Sequence, residues 1–266
     1  MAPAPRQHRI GMIVPSSNTT METEIPELLR RQQARGRHVF SFHSARLRLT
    51  QVTPEALRAM NESAGGAVDA LCDAEVDAIM YACLVAVMSG GRRCVDDTQA
   101  GLAKRAAAAT VRAAPAVLTS AGALVTGLRA LGAWKVAMIT PYRQTLTAQV
   151  TATLVEYGIA VLQSQSLEVV DNVRVGRLDP AGLLAIAGRF DLSGVDALVL
   201  SACVQMPSLG AIEEAEQRFG LPVLSAATAS AFELLSRLDI EPDIANAGSL
   251  LRRRTAAAVA RKAVQP

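Results

Sequence analysis

The stretch VDAIMYACLVAVM, residues 76–88, is an apolar run that opens like a strand and sets Cys83 where that strand should end. A second stretch, VDALVLSAC at residues 195–203, repeats the opening and sets Cys203 at the same point. Short apolar runs bounded by polar residues fit strands buried on both faces, the signature of a parallel sheet covered by helices. Two such strands, each closing on a thiol, raise the question of whether the chain is built twice.

The segments around them answer it. RIGMIVPSSN lines up with KVAMITPYRQ at an offset of 126 (Pro141 minus Pro15), and LRLTQVTPEAL with LEVVDNVRVGRLDPAGL at the same offset (Pro180 minus Pro54). PAVLTSAGALVTGLRAL is echoed by PVLSAATASAFELLSRL. Matched elements in the same order indicate an internal duplication. Between the strand-like runs, IPELLRRQQA and PEALRAMNESAGGAVDALCDA carry helical spacing, and Gly132 is placed to end a helix. The expected fold is therefore α/β: two pseudo-symmetric lobes, each a parallel sheet flanked by helices, with a cleft between them. Open parallel sheets bind ligands beyond the carboxyl ends of their strands, so both cysteine loops should face that cleft. We place the first lobe at residues 1–116 plus 226–266 and the second at 117–225.

Composition narrows the function. Only 3% of the residues are aromatic while 50% are hydrophobic, and the surplus of Ala, Val and Leu suits helix-on-sheet packing rather than a β-sandwich. The net charge of +3 is dispersed apart from Arg252, Arg253 and Arg254, which leaves no nucleic-acid footprint. The arginines and the following TAAAVARKAV read as a solvated terminal helix. No apolar run reaches the roughly 18 residues that span a bilayer, and MAPAPRQHR has no apolar core of a signal peptide. A cytoplasmic location without membrane contact is expected. The four cysteines, Cys72, Cys83, Cys94 and Cys203, form no CxxC pair, and with only His8, His38 and His43 available a zinc site or a histidine triad is hard to assemble. Acid–base chemistry must come from elsewhere.

Free cysteine is usually a packed small hydrophobe, which suits Cys72 and Cys94 inside helical patterns. Cys83 and Cys203 differ because they coincide at equivalent strand ends, where two thiols would flank one small ligand. A helix start after Cys83 and after Cys203 would lower the thiol pKa toward the reactive thiolate. In PSSNTTMETE, residues 15–24, Ser16, Ser17, Thr19 and Thr20 suit an anion-binding loop, or equally caps and turns, with Thr19 and Glu22 fitting a capping box. Asn18 in this loop, Tyr142 just past a strand and Asn172 in VVDNVRVG are uncharged donors able to hold carboxylates.

PSSNTTMETE, YACLVAVM and SACVQMPSL together resemble the signature segments of maleate cis-trans isomerases, cofactor-independent members of the aspartate/glutamate racemase superfamily. Related arylmalonate decarboxylases typically keep only the second thiol. The resemblance, which runs from Ile10 to about Arg237, implies Cys83 as nucleophile and Cys203 as the thiol that supplies or removes a proton. It implies that Asn18, Tyr142 and Asn172, with the backbone N–H groups of Leu84, Val85 and Val204, hold the substrate's carboxylates. It also implies a homodimer without cofactor or metal that converts maleate to fumarate through a succinyl-cysteine, in nicotinate or aromatic-acid breakdown. The alternatives are a two-thiol racemase of amino-acid or hydantoin type, and a non-catalytic dicarboxylate-binding protein.

Overall fold

The computed structural model describes residues 4–111 and 113–253. In the first lobe, β1 (Arg6–Pro15), β2 (His38–Leu47), β3 (Ala78–Tyr81) and β4 (Ala116–Thr119) pair in parallel in the order β2-β1-β3-β4. In the second lobe, β5 (Lys135–Thr140), β6 (Ala160–Ser166), β7 (Ala197–Ser201) and β8 (Val223–Ser225) pair in parallel in the order β6-β5-β7-β8. The same topology twice is the duplication read from the sequence. β3 and β7 are buried along their whole length, which is why they read as continuous apolar runs.

The first sheet extends through Thr119, so the division expected between 116 and 117 cuts β4 away from its partner β3. The ladder with Ala78–Tyr81 agrees with the internal repeat, in which PAVLTS is the first-half counterpart of PVLSAA. β1 begins at Arg6, three residues before the apolar run RIGMIVP at 9–15 that reads as a strand, because Arg6 to Arg9 pair with the start of β2.

Helices connect the strands: α1 (Met21–Gln33), α2 (Pro54–Asp73), α3 (Leu84–Met88), α4 (Gly91–Ala109), α5 (Ser120–Leu131), α6 (Gln144–Glu156), α7 (Asn172–Val175), α8 (Pro180–Ala187), α9 (Leu209–Phe219) and α10 (Ala226–Arg237). Matched ends carry matched chemistry. β4 runs directly into α5, where the Thr119 hydroxyl accepts from Gly122 N–H, and β8 runs into α10 through a reciprocal capping box between Ser225 and Thr228. α5 ends at Gly132 in the left-handed region, φ 73°. α5 and α10 pack closely at Gly127, where a Cβ would sit 3.2 Å from both Ala229 and Leu250. Of the basic C-terminal tail, the helix expected from Arg254 onward lies outside the described residues.

The lobes cap one another. Glu24 of α1 is buried, and its Oε1 accepts from Ser208 N–H and Leu209 N–H, both at 2.7 Å, at the start of α9. From the other side, Glu156 of α6 accepts from Arg92 N–H at 2.6 Å near the start of α4, and Thr153 Oγ1 donates to Met88 O at 2.6 Å. Each carboxylate satisfies helix N–H groups that would otherwise be orphaned in the seam. Burial raises the Glu24 pKa above its ordinary 4.5, outweighing the Leu209 and Ser208 hydrogen bonds that lower it.

A raised folded-state pKa means that the stabilisation by Glu24 is complete below its unfolded value and declines as pH rises through the folded value. We expect Glu24→Ala to lower the unfolding free energy by about 2 kcal/mol. Glu24→Gln, which keeps the accepting oxygen without the charge, should gain on wild type as pH rises from about 5 to about 8. Denaturant titrations followed by circular dichroism at several pH values measure both; a Glu24→Gln protein that loses ground with rising pH would contradict the assignment.

Candidate active site

The two strand ends build the site in parallel ways. Beyond β3, Ala82 N–H still donates to Ile13 O at 2.9 Å, and beyond β7, Ala202 N–H donates to Ile139 O at 3.0 Å. The next residue in each case leaves the sheet and carries the thiol. Cys83 forms the N-cap of α3 without making a side-chain cap hydrogen bond. Cys203 opens a turn in which Ser201 Oγ donates to Cys203 O (2.8 Å) and Met206 O (3.1 Å), and its sulfur accepts from Gln205 N–H at 3.4 Å. The expected helix start directly after Cys203 is absent: α9 begins only at Leu209, because the turn and Pro207 intervene.

Both sulfurs line one small cavity between the lobes. Its wall comprises Pro15, Asn18, Leu49, Val52, Ala82, Cys83, Leu84, Val85, Tyr142, Asn172, Cys203, Val204 and Gln205. The eight residues expected to react with or hold a substrate therefore meet here, whereas Ser16, Ser17, Thr19 and Thr20 do not line the wall. Cys72 and Cys94 do not: Cys72 packs against Ala106 O from α2, and Cys94 lies near Thr98 on α4. No histidine lines the wall. His8 and His38 pair at 2.9 Å near the opposite, amino ends of β1 and β2. Among the described residues no cluster of His, Cys, Asp and Glu is arranged to hold a metal ion.

The polar wall consists of neutral donors. Asn18 Oδ1 accepts from Met21 N–H at 3.1 Å, which anchors the amide to α1 and leaves its Nδ2 end to donate into the cavity. Asn18 thus does the capping assigned to Thr19 and Glu22, whose capping box does not form; Thr20 is the N-cap and makes no side-chain cap. Of the loop hydroxyls, those of Ser16 and Ser17 are engaged by the backbone of Leu49. The buried Tyr142 hydroxyl donates to Ala202 O at 3.2 Å, beside the Cys203 thiol. Burial, reinforced by the nearby Cys203, holds the phenol far above its usual pKa, so it stays a donor. Asn172 Nδ2 donates to Ser17 Oγ at 2.5 Å across the cleft. Leu84 and Val85 begin α3, where N–H groups lack partners within the helix.

Burial also sets the thiols. It pushes the Cys83 pKa up to about 12 against the lowering by Ala86 N–H, with a further upward push from Cys203. It raises Cys203 as well, against opposing hydrogen bonds from Tyr142, Gln205 and Met206. The lowering expected from a helix start is overridden, because α3 is a single short turn and the sulfur is desolvated. The cavity encloses about 20 Å³, room for about one water molecule. In this closed form it is too small for a ligand with several heavy atoms.

The sequence reading missed Gln205, although a signal was present. Aligned on the cysteines, Gln205 stands where the first half has Val85, a polar residue replacing an apolar one at a buried position.

The chain matches the arylmalonate decarboxylase family model over residues 10–251. It is 49% identical over 247 residues to the maleate isomerase of Geobacillus stearothermophilus, covering 92% of this chain and 98% of that protein. The chain belongs to the maleate isomerases. Solved structures of this family superpose closely. The maleate cis-trans isomerase of Nocardia farcinica, a cysteine-to-serine variant with a covalently bound succinylcysteine intermediate, is 46% identical with a TM-score of 0.90, covering 94% of this chain and all of that one. The maleate isomerase of Pseudomonas putida S16, a cysteine-to-alanine variant with maleate, is 42% identical with a TM-score of 0.90, covering 92% and 98%.

For this maleate isomerase the burial of Cys83 has a spectroscopic consequence. The difference in ultraviolet thiolate absorbance between wild type and Cys83→Ser should stay flat and near zero from pH about 6 to about 9 in the ligand-free protein. A titration step below neutrality in that difference would refute the raised pKa.

Proposed function

We propose that the protein converts maleate to fumarate, with Cys83 as the nucleophile and Cys203 as the proton carrier. The observation that carries this is the pair of thiols from matched strand ends on one cavity whose other polar groups are uncharged donors. The succinylcysteine held by the Nocardia farcinica relative supports the covalent route.

A C=C bond does not rotate thermally at a useful rate, so it must become a single bond for a time. As the lobes open, water reaches Cys83 and its thiol can lose its proton. On closure the thiolate adds to one alkene carbon of maleate; a C–S bond forms, the π bond breaks, and its electron pair moves onto the neighbouring carbon and carboxylate. Cys203 delivers its proton to that carbon, leaving its sulfur as thiolate and a succinyl group on Cys83. Rotation about the new C–C single bond carries the carboxylates apart. The Cys203 thiolate then takes a proton from the same carbon, the double bond re-forms, and the C–S pair returns to Cys83 as fumarate leaves.

Asn18, Tyr142 and Asn172, with Leu84, Val85 and Val204 N–H, hold the carboxylates and stabilise the charge that develops during addition. Fixed neutral dipoles supply this without the cationic clamp that would resist the swing of one carboxylate. We further propose that the enzyme is a cytoplasmic homodimer serving nicotinate or aromatic-acid breakdown; light scattering coupled to size exclusion tests the dimer.

Cys83→Ala should abolish fumarate formation, followed by the vinyl-proton resonances of maleate and fumarate, while Cys203→Ser should keep at most a small residual rate. Intact mass of the Cys203→Ser protein after exposure to maleate should show one adduct of one substrate mass, located on Cys83. Normal turnover by Cys83→Ala would rule out the covalent route.

A further inference from the structure

Gln205 is almost fully buried and touches both lobes at once. Its Oε1 accepts from Thr19 N–H at 3.1 Å, and its Nε2 donates to Ser17 O and to Asn172 O, each at 2.9 Å. Ser17 and Thr19 flank Asn18 in the β1–α1 loop, whereas Asn172 belongs to the second lobe. The same residue's backbone N–H is the one aimed at the Cys203 sulfur. Space for the amide depends on Gly176, where a Cβ would fall 2.7 Å from Nε2. A second strut runs alongside, from Asn172 Nδ2 to Ser17 Oγ and from Ser17 Oγ to Leu49 O.

We infer that Gln205 is a positioning residue: its side-chain amide latches the two lobes shut and, in the closed state, sets the spacing between Asn18, Asn172 and Cys203. Parting the lobes must break its bonds to Ser17 and Thr19, and closing restores them. This assignment rests on the roles proposed above for Asn18, Asn172 and Cys203. It requires an amide at this position. A carboxylate of the same size would set oxygen against the two carbonyls that Nε2 now serves, turning two attractions into repulsions.

The experiment compares wild type with Gln205→Glu and Gln205→Met, which keep the side-chain volume, and with Gly176→Ser, which crowds Nε2 from the second lobe. Two quantities are read: maleate kinetics, and the rate at which iodoacetamide labels Cys83, followed by peptide mapping without any turnover. Loss of two or three hydrogen bonds should lower kcat/KM about a hundredfold, mainly through kcat, in all three variants. Labelling of Cys83 should rise at least about tenfold, since only an open cleft admits the reagent. Labelling and kcat/KM within about twofold of wild type would overturn the proposal. So would a collapse of kcat with labelling unchanged, because the amide would then act on the chemistry and not on closure. Faster labelling in the variants combined with a wild type that leaves maleate untouched would support the latch and sink the functional reading. If Gln205→Glu does not fold, Gln205→Met and Gly176→Ser give the same two readouts.

Discussion

Two sulfurs can flank one small molecule only where two sheets end against a common seam, and everything else in this protein follows from keeping that seam shut. Loops at the carboxyl ends of parallel strands expose N–H and C=O groups that no strand or helix satisfies. Here each lobe completes the other's helix starts, Glu24 serving α9 and Glu156 serving α4. The two contacts come from different places along α1 and α6, the first turn in one and the last in the other. The pseudo-twofold relation is thus conserved in what is capped and not in the position of the residue that caps it.

Closing the seam sets burial against reactivity. A dry cavity strengthens every hydrogen bond to a developing charge, yet the same dryness keeps Cys83 and Cys203 protonated. A permanently closed site would hold inert thiols, and a permanently open one would hydrate its donors. The opening and closing proposed above would reconcile the requirements, with ionisation in the open state and addition in the closed one. The neutrality of the wall fits this scheme, because Tyr142 keeps its proton whether the cleft is wet or dry.

Most of the architecture was legible because it is written in hydrophobic rhythm. The buried runs ending at Cys83 and Cys203 and the recurring prolines at matched offsets follow from local pattern. Cys83, Cys203 and the loop donors were reachable because strand ends in parallel sheets share a direction; Leu84, Val85 and Val204 came from the family resemblance. What failed depended on distance or depth. The short helix after Cys83 suggested a lowered thiol pKa, but desolvation is a property of the assembled cleft. Thr19 and Glu22 have capping-box spacing, but Thr19 N–H is taken by Gln205, 186 residues away. The division after residue 116 cut β4 from its partner strand, and Gln205 was hidden because its contacts lie in two loops and against Gly176. Its contrast with Val85 was the one local trace.

The lack of any lysine or arginine on the cavity wall has a kinetic side. The field of a point charge reaches across a Debye length, whereas that of an amide or phenol dipole fades within a few ångströms of contact. A diacid drifting toward the cleft therefore meets little long-range guidance from the site itself. Long-range attraction is left to charges behind the wall, such as Arg46, whose guanidinium donates to Ser16 O and Asn18 O.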